Sequence, residues 1–163
     1  MFMPGEKVLY PLHGAGIVEK IEKKDNGFGL RPFYVVNLIN SGMRVSVPVL
    51  TAKQSGLRSV TLPDEMLALM KDFSVAPAET ESNWNKRYRK NLDNLRTGDV
   101  LKAAAVYRDL AERNEVKLLS SGERKIYQSA KHMLVTEIML CFDVDKFEAE
   151  KKLLEATFAV VNK

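Results

Sequence analysis

The spacing of apolar side chains changes near residue 60, and this change limits the possible folds of the 163-residue chain more than any other feature. Before residue 60, β-branched and aromatic residues alternate with polar ones between glycine and proline breaks, as they do in short strands. After residue 60, apolar residues recur every three or four positions, as they do in helices. The sequence therefore predicts an α+β protein of two modules, a β module over residues 1–60 and a helical module over residues 61–163.

Four segments of the β module have the composition of strands. They are KVLY (7–10), GIVEKIEKK (16–24), FYVVNLIN (33–40) and MRVSVPV (43–49). The apolar phase of the second segment shifts between Val18 and Ile21, which predicts a bulge, and Pro48 removes one ladder donor from the fourth. We expect a small antiparallel SH3-like or Tudor-like β barrel of four or five strands, with one strand edge left open.

The helical module contains start and stop signals for about five helices. Pro63 favours the start of the first, Asp99 can cap the third, and Ser120 has the spacing of a capping box with Glu123. The second helix is expected from about residue 80 to residue 95. Apolar stripes predict a buried bundle. They are Ile126, Ala130, Met133, Leu134, Ile138 and Cys141 in the fourth helix, and Phe147, Leu153, Leu154, Ala156 and Phe158 in the fifth.

No residue pattern predicts catalysis or a metal site. The two histidines, His13 and His132, are far apart in the sequence and lack cysteine or acidic neighbours at metal-ligand spacing. HGAG (13–16) has the composition of a phosphate loop, but glycines at a turn between strands explain it better. Cys141 lies on an apolar helix face. A small hydrolase, which would need a pocket around one of the histidines, is the least favoured function. Because these patterns do not indicate catalysis, we expect no enzyme, no catalytic residue, no metal and no cofactor.

The sequence has no feature of a secreted or membrane-spanning protein. The segment MFMPGEKVLY lacks a basic stretch followed by a long apolar one. No apolar run approaches the roughly 20 residues that cross a bilayer. A single cysteine allows no internal disulfide. We expect a cytoplasmic protein without a membrane partner.

Positive charge is concentrated in the stretch that opens at Trp84, the only tryptophan. Residues 83–131 hold 12 basic and 6 acidic side chains, although the net charge of the whole chain is only +4. Such a local excess indicates a polyanionic partner. The densest part of this stretch contains Lys86, Arg87, Arg89 and Lys90.

Two interpretations of Trp84 remain open from the pattern alone. On a helix, Trp84 shares one face with Tyr88, Leu92 and Leu95, which favours a buried stripe with solvated cations beside it. An exposed indole is favoured instead because Trp84 lies in a first turn, where few neighbours can cover it. The cations also repel one another at a spacing of four unless phosphates supply negative charge.

Several motifs, in order along nearly the whole chain, resemble those of the CarD/CdnL family of bacterial transcription factors. In the helical module they are N-W-N-K-R-Y-R-K-N-L (83–92), T-G-D-V (97–100), A-x-V-Y-R-D-L (104–110) and L-S-S-G-E-R-K (119–125). In the β module they are P-G-E-K-V-L-Y-P-x-H-G-A-G (4–16), F-Y-V-V (33–36), G-M-R-V-S-V-P (42–48) and S-G-L-R (55–58).

The resemblance implies a function in transcription initiation. A Tudor-like module of this family binds the β subunit of RNA polymerase, and the helical module contacts promoter DNA at the upstream edge of the minus-ten element. There a tryptophan, matched here by Trp84, enters the minor groove at the edge of the melted region and stabilises the open complex, including that of ribosomal RNA promoters. Lys86 and Arg89 match positions that touch the DNA backbone. Arg87 and Lys90 are added because they are close in sequence.

The resemblance also implies a polymerase-binding set in the β module. Its members are Lys24, Val36, Arg44, Val45, Ser46 and Pro48. Val36 and Val45 could equally be barrel core. Ser46 departs from the family pattern, in which a larger apolar or basic side chain is usual, and Lys24 stands where some relatives have arginine. The alternative function is a protein–protein adaptor whose helical module is purely structural and whose Trp84 is buried.

Overall fold

The computed structural model describes residues 1–78 and 80–158, in which five strands precede five α-helices. The strands are β1 (Lys7–Tyr10), β2 (Gly14–Asp25), β3 (Leu30–Leu38), β4 (Arg44–Pro48) and β5 (Arg58–Ser59), and a 3-10 turn (Val49–Thr51) follows β4. The helices are α1 (Pro63–Met70), α2 (Trp84–Arg96), α3 (Val100–Val116), α4 (Ser121–Phe142) and α5 (Lys146–Phe158). The predicted α+β class is confirmed.

The strands form one antiparallel sheet in the order β4-β3-β2-β1-β5. The register of β2 against β3 shifts between Val18 and Lys20, which confirms the predicted bulge. Strand β5 contains only two residues, too few to show an alternating pattern in the sequence. Strands β4 and β5 are the edges of this ladder, so β4 leaves one side of its backbone without a strand partner among the described residues.

Helix α4 forms the centre of the helical module. All six members of its predicted stripe are buried. The fifth helix differs from the prediction, because Phe147 is 78% exposed and Leu154 is 52% exposed. Helix α5 buries Ala149, Leu153 and Thr157, which recur every four residues. Ala156 and Phe158 are half-buried against the same core, whereas Phe147 and Leu154 lie on the side of α5 that faces solvent.

The two modules share apolar packing. Leu9 of β1 and Ala15 of β2 belong to the same buried cluster as residues of α3 and α4. The backbone N–H of Ala15 donates to Thr136 Oγ1 at 2.9 Å. Gly14 has a positive φ of 101°, and a Cβ at this position would lie 2.8 Å from the His132 ring. The turn between β1 and β2 therefore ends at His13, and the glycines of HGAG begin β2 where it presses against α4, so the segment is part of a strand-to-strand connection rather than a phosphate loop.

A second contact between the modules is a largely buried ion pair. Arg58 of β5 binds the Glu137 carboxylate through two nitrogens, at 2.7 and 2.8 Å, and also donates to the carbonyl of Gly98. The backbone N–H and the hydroxyl of Thr61 donate to the same carboxylate. Glu137 is buried, and such a carboxylate is stable in the interior only when it is paired in this way.

Candidate functional site

Helix α2 begins at Trp84, four residues later than the sequence suggested. Asn83 is its N-cap, and the Asn83 side-chain oxygen accepts a hydrogen bond from the backbone N–H of Lys86 at 3.1 Å. This cap fixes the first turn and makes Trp84 the first helical residue. The polar linker before α2 is correspondingly longer.

The indole of Trp84 is not sealed in the core, because the residue is 43% exposed. One face of the ring stacks on Tyr88, with centroids 5.5 Å apart and planes 23° apart. Its Nε1–H donates to Ser120 Oγ at 3.1 Å. The ring also passes close to Gly122 in the first turn of α4, where a Cβ would lie 3.4 Å from Cζ2. We call Tyr88, Ser120 and Gly122 the indole cradle.

The rest of the predicted apolar face of α2 packs inward. Leu95 is buried, while Tyr88 and Leu92 are half-buried against the helical core. Trp84 extends this face beyond the region that the bundle covers. Both sequence-based interpretations are therefore partly correct, since the stripe is core and its first member is accessible.

The four cations that follow Trp84 occupy two different environments. Lys86, Arg89 and Lys90 are exposed on the outer face of α2. Arg87 is turned inward, where one guanidinium nitrogen pairs with Glu123 at 2.5 Å and another donates to the carbonyls of Glu81 and Ser82. It lies on the helix face that meets α4. The expectation that Arg87 belongs to the exposed cationic surface must therefore be corrected.

Glu123 has a different role from the one that its motif predicted. The backbone N–H of Glu123 donates to Ser120 Oγ at 3.2 Å, so half of the predicted capping box is present. The Glu123 carboxylate reaches Arg87 rather than the backbone of Ser120. Since this carboxylate is buried, the ion pair fastens the start of α2 to the start of α4.

An acidic residue of the linker lies beside the cations. Glu81 accepts from the backbone N–H of Asn83 at 3.1 Å, and its carboxylate is 4.0 Å from Lys90 Nζ. The hydrogen bond from Asn83 lowers the pKa of Glu81, with smaller contributions from the charges of Lys86 and Lys90. The linker therefore supplies a negative charge at one end of the cationic face.

A groove of about 650 Å³ opens beside the indole. Its walls include Trp84, Val116, Leu118, Ser120 and Glu123, and it runs between the end of α3 and the start of α4. Val116 and Leu118 are largely exposed there. Trp84 thus borders an apolar depression and a cationic helix face at the same time.

The edge of β4 is the second exposed feature that the sequence predicted. The backbone N–H of Leu38 donates to the carbonyl of Met43 at 2.8 Å, and the alternation of an antiparallel ladder then directs the amide groups of Arg44 and Ser46 away from β3. Pro48 falls in the same outward phase, where its missing N–H removes no bond to β3. This side of β4 is open to a further strand.

The predicted polymerase-binding set is only partly accessible. Lys24, Arg44 and Ser46 are exposed, whereas Val45 and Pro48 are half-buried. Lys24 Nζ donates to Ser46 Oγ at 2.7 Å, and Arg44 pairs with Glu19 at 2.8 Å. Val36 is fully buried in the core of the sheet. Its side chain is therefore a core residue, as the alternative interpretation held, and cannot touch a partner directly.

The histidines and the cysteine are explained by packing. His13 stacks on Tyr10, and His132 is half-buried against Gly14, where burial lowers the pKa of its imidazole. Cys141 is buried, and burial raises the pKa of its thiol to about 11. Within residues 1–78 and 80–158, no group of side chains has the arrangement of a metal site. None of the helices in those ranges combines the length and apolarity needed to span a membrane.

Sequence reasoning missed the contribution of α4 to the Trp84 site. Ser120 and Glu123 were recognised as a capping motif, but both lie 36 residues from the α2 residues that they contact. No short-range pattern in the sequence connects those positions. The glycine at position 122 carried no signal either, because its importance depends on the ring that lies against it.

Two family models match the chain. The model described as the CarD-like/TRCF RID domain matches residues 2–61, and the model described as CarD, C-terminal domain, matches residues 67–154. A protein named "Putative transcription factor YdeB", from Bacillus subtilis (strain 168), is 33% identical over 138 residues. That alignment spans 85% of this chain and 90% of the relative.

Proposed function

The chain belongs to the CarD family of transcription factors, and from this premise we propose that it binds the β subunit of RNA polymerase and stabilises the promoter open complex. The β module is the polymerase-binding part. The helical module contacts double-stranded promoter DNA at the upstream edge of the minus-ten element, where melting begins. The protein acts in the cytoplasm as a regulator of transcription, without catalysing a reaction and without a cofactor.

The polymerase contact is supported by the family model and by the edge of β4. The term RID in the matching model denotes an RNA polymerase-interacting domain. An exposed strand edge can bind a strand of another protein through backbone hydrogen bonds. Arg44 and Ser46 present such groups, and Lys24 adds a positive charge beside them. Val45 and Pro48 border the same edge, while Val36 supports it from the core.

The accessible indole is the single observation that carries the DNA-binding proposal. Trp84 is 43% exposed at the start of a helix whose outer face presents Lys86, Arg89 and Lys90. Cations of this kind bind phosphates and position a protein on DNA without reading its sequence. Stacking of an aromatic ring on an exposed base contributes about 1–3 kcal/mol. Arg87 supports this surface from inside through Glu123 rather than contacting phosphate.

The effect on transcription follows from unequal binding to two states of the DNA. A ligand shifts an equilibrium only by the difference between its affinities for the two states. An indole that enters the minor groove at a base step must unstack that step, which costs a few kcal/mol in intact duplex. At the edge of melted DNA the bases are already separated, so the same contact is more favourable. The open complex is therefore stabilised relative to the closed one.

The test compares the open-complex lifetime with the wild-type protein and with Trp84→Ala. We expect the variant to lose the increase in lifetime, because the stacking group is absent, while its binding to RNA polymerase stays unchanged. Lys102→Ala, an exposed cation on α3 with no role in the proposed surface, is the control variant. Circular dichroism checks that each variant folds. An unchanged lifetime with Trp84→Ala would contradict the proposal and favour the adaptor function.

A further inference from the structure

The first turn of α4 holds the ring of a residue that lies 36 positions earlier in the chain. The structure does not leave Trp84 as a free side chain on the surface. Tyr88 covers one face, Ser120 binds its nitrogen, and Gly122 faces its edge. Each contact restricts a different motion of the ring.

We propose that Ser120 and Gly122 are positioning residues that hold the Trp84 indole in the orientation needed to meet opened DNA. This inference rests on the function proposed above. It concerns residues of α4 that do not themselves supply the stacking surface. The indole is then ready for its contact before DNA arrives, and binding need not immobilise it.

Ser120 fixes the rotation of the indole about its side-chain bonds. The indole has one hydrogen-bond donor, Nε1–H, and it donates to Ser120 Oγ at 3.1 Å. The same oxygen accepts from the backbone N–H of Glu123 at 3.2 Å. Because this second bond caps α4, the oxygen is held by the helix start, and the ring is tied to a fixed point of the backbone.

Gly122 leaves the space that the two stacked rings occupy. A Cβ at this position would lie 3.2 Å from Tyr88 Cε2, and 3.4 and 3.7 Å from Trp84 Cζ2 and Cη2. The first two distances are at or below ordinary carbon–carbon contact. The backbone of Gly122 is helical and does not require glycine. Glycine generally weakens a helix, so the close approach of the rings is the better explanation for its presence.

The ion pair between Arg87 and Glu123 keeps the indole cradle rigid. It joins α2 three residues after Trp84 to α4 three residues after Ser120. Both side chains are buried, so solvent does not compete effectively for the pair. The distance between the two helix starts is therefore fixed, and with it the position of Ser120 relative to the indole.

Pre-organisation of one aromatic side chain should raise the affinity for DNA by a measurable factor. Immobilising a side chain on binding lowers affinity by about two- to tenfold. A ring released from the indole cradle should therefore shorten the open-complex lifetime by about that factor. The expected loss is smaller than the complete loss with Trp84→Ala, because the stacking group is still present.

The experiment uses the full chain with four variants. Gly122→Ala adds one methyl group against the rings without removing a hydrogen bond. Ser120→Ala removes the acceptor of the indole N–H, and Ser120→Thr restores a hydroxyl at the same place. Ser121→Ala, which changes the adjacent position of the same turn, is the matched control. The readouts are the emission maximum and anisotropy of the only tryptophan, thermal unfolding, polymerase binding and open-complex lifetime.

We expect Gly122→Ala and Ser120→Ala to lower tryptophan anisotropy and to shorten the lifetime about two- to tenfold, with polymerase binding intact. Gly122→Ala should unfold at the wild-type temperature or above it, because alanine favours helix. Ser120→Thr and Ser121→Ala should behave like the wild type. A loss of lifetime in Gly122→Ala without a loss of stability is not expected from a merely structural role. Ser120→Ala also removes the cap of α4, so its unfolding temperature should fall while that of Ser120→Thr does not.

Two outcomes distinguish a failure of the positioning role from a failure of the proposed function. If Trp84→Ala abolishes the lifetime effect while Gly122→Ala and Ser120→Ala retain it fully, the positioning role is refuted and the proposed function stands. If Trp84→Ala itself has no effect, the proposed function fails and the positioning role fails with it.

Discussion

Lys86 and Arg87 are adjacent in the sequence but lie in different environments. Lys86 is exposed on the outer face of α2, whereas Arg87 is buried against Glu123. One step along a helix is enough to change the environment of a side chain, because successive residues are about 100° apart around the axis. A positive charge in this stretch therefore serves either a partner or the fold.

The difference predicts unequal losses of stability from two alanine substitutions. Arg87→Ala leaves the Glu123 carboxylate buried without its partner, and we expect the free energy of unfolding to fall by about 3 kcal/mol. Lys86→Ala removes an exposed charge, and we expect a change within about 0.5 kcal/mol. Urea unfolding followed by circular dichroism measures both. Similar stability losses from the two variants would contradict the assignment of Arg87 to the interior.

At the scale of one element, α2 joins a core-facing stripe to a cationic face. Asn83 caps the helix, Leu95 is buried near its end, and the exposed cations lie along the opposite side. Trp84 lies at the solvent end of the stripe. The helix therefore presents the ring and the cations together, at spacings that the helical geometry fixes.

The salt dependence of DNA binding should report how many cations of α2 contact phosphate. Three phosphate contacts, from Lys86, Arg89 and Lys90, predict a slope of log affinity against log salt of about −2.7, whereas four would give about −3.6. Fluorescence anisotropy of forked DNA, titrated at several salt concentrations, measures this slope. Lys86→Ala should make the slope less negative by about 0.9. A fourth contact through Arg87 is excluded if Arg87→Met keeps the wild-type slope, and supported if it does not.

Strand β4 allows a test of backbone-mediated polymerase binding. Ser46→Pro removes an N–H on the open side of the strand and spares the ladder with β3, so we expect polymerase binding to weaken by about tenfold while the protein stays folded. Ser46→Ala keeps the N–H and should bind nearly as the wild type does. Surface plasmon resonance with the polymerase β subunit measures both affinities. Equal weakening by the two variants would assign the contact to the hydroxyl instead.

The elements with a strong repeating pattern could be predicted from the sequence, and those without one could not. The stripe of α4 has six apolar positions, which only a helix can place on one face, and all six are buried. The two residues of β5 carry no such information. In α5 the sequence identified apolar residues but not which of them meet α4, because several faces carry them. Phe147 and Leu154 were consequently assigned to the core in error.

In the candidate site, too, the sequence predicted only the residues that belong to a repeating local pattern. The spacing of Trp84, Tyr88, Leu92 and Leu95 predicted the inner face of α2, and the first-turn position of the indole favoured exposure. The inward turn of Arg87 depends on Glu123, whose position in space the sequence does not specify. Long-range pairs of this kind arise from tertiary packing rather than from local pattern.

At the scale of the whole molecule, the two modules are joined by packing as well as by the chain. Leu9 and Ala15 enter the helical core, and Arg58 binds Glu137 and the carbonyl of Gly98. Small domains that share one core usually unfold in a single cooperative transition. The N-terminal sheet and the helices should therefore behave as one thermodynamic unit.

Removing Arg58 should weaken both the fold and its cooperativity. Arg58→Ala leaves Glu137 buried with only Thr61 as a partner, and we expect a loss of about 2–4 kcal/mol. Thermal unfolding, followed by tryptophan emission for the helical module and by far-ultraviolet circular dichroism for the whole chain, should give coincident transitions for the wild type and separated ones for the variant. Arg44→Ala, which breaks an exposed pair with Glu19, should change stability by at most about 1 kcal/mol. Coincident transitions in Arg58→Ala would show that apolar packing alone couples the modules.

The shared core has a consequence for promoter choice. Because the two modules share one core, the distance between the β4 edge and the Trp84 ring is constant. The protein would therefore bind best to DNA in which the two contact points are separated by that distance. Lengthening the DNA between the polymerase anchor and the melting point by one base pair moves the groove by about 3.4 Å along the axis and also rotates it. The ring would then face the sugar-phosphate backbone instead of the base-pair step that melts. Promoters with different upstream spacing should accordingly respond in graded fashion to the same protein.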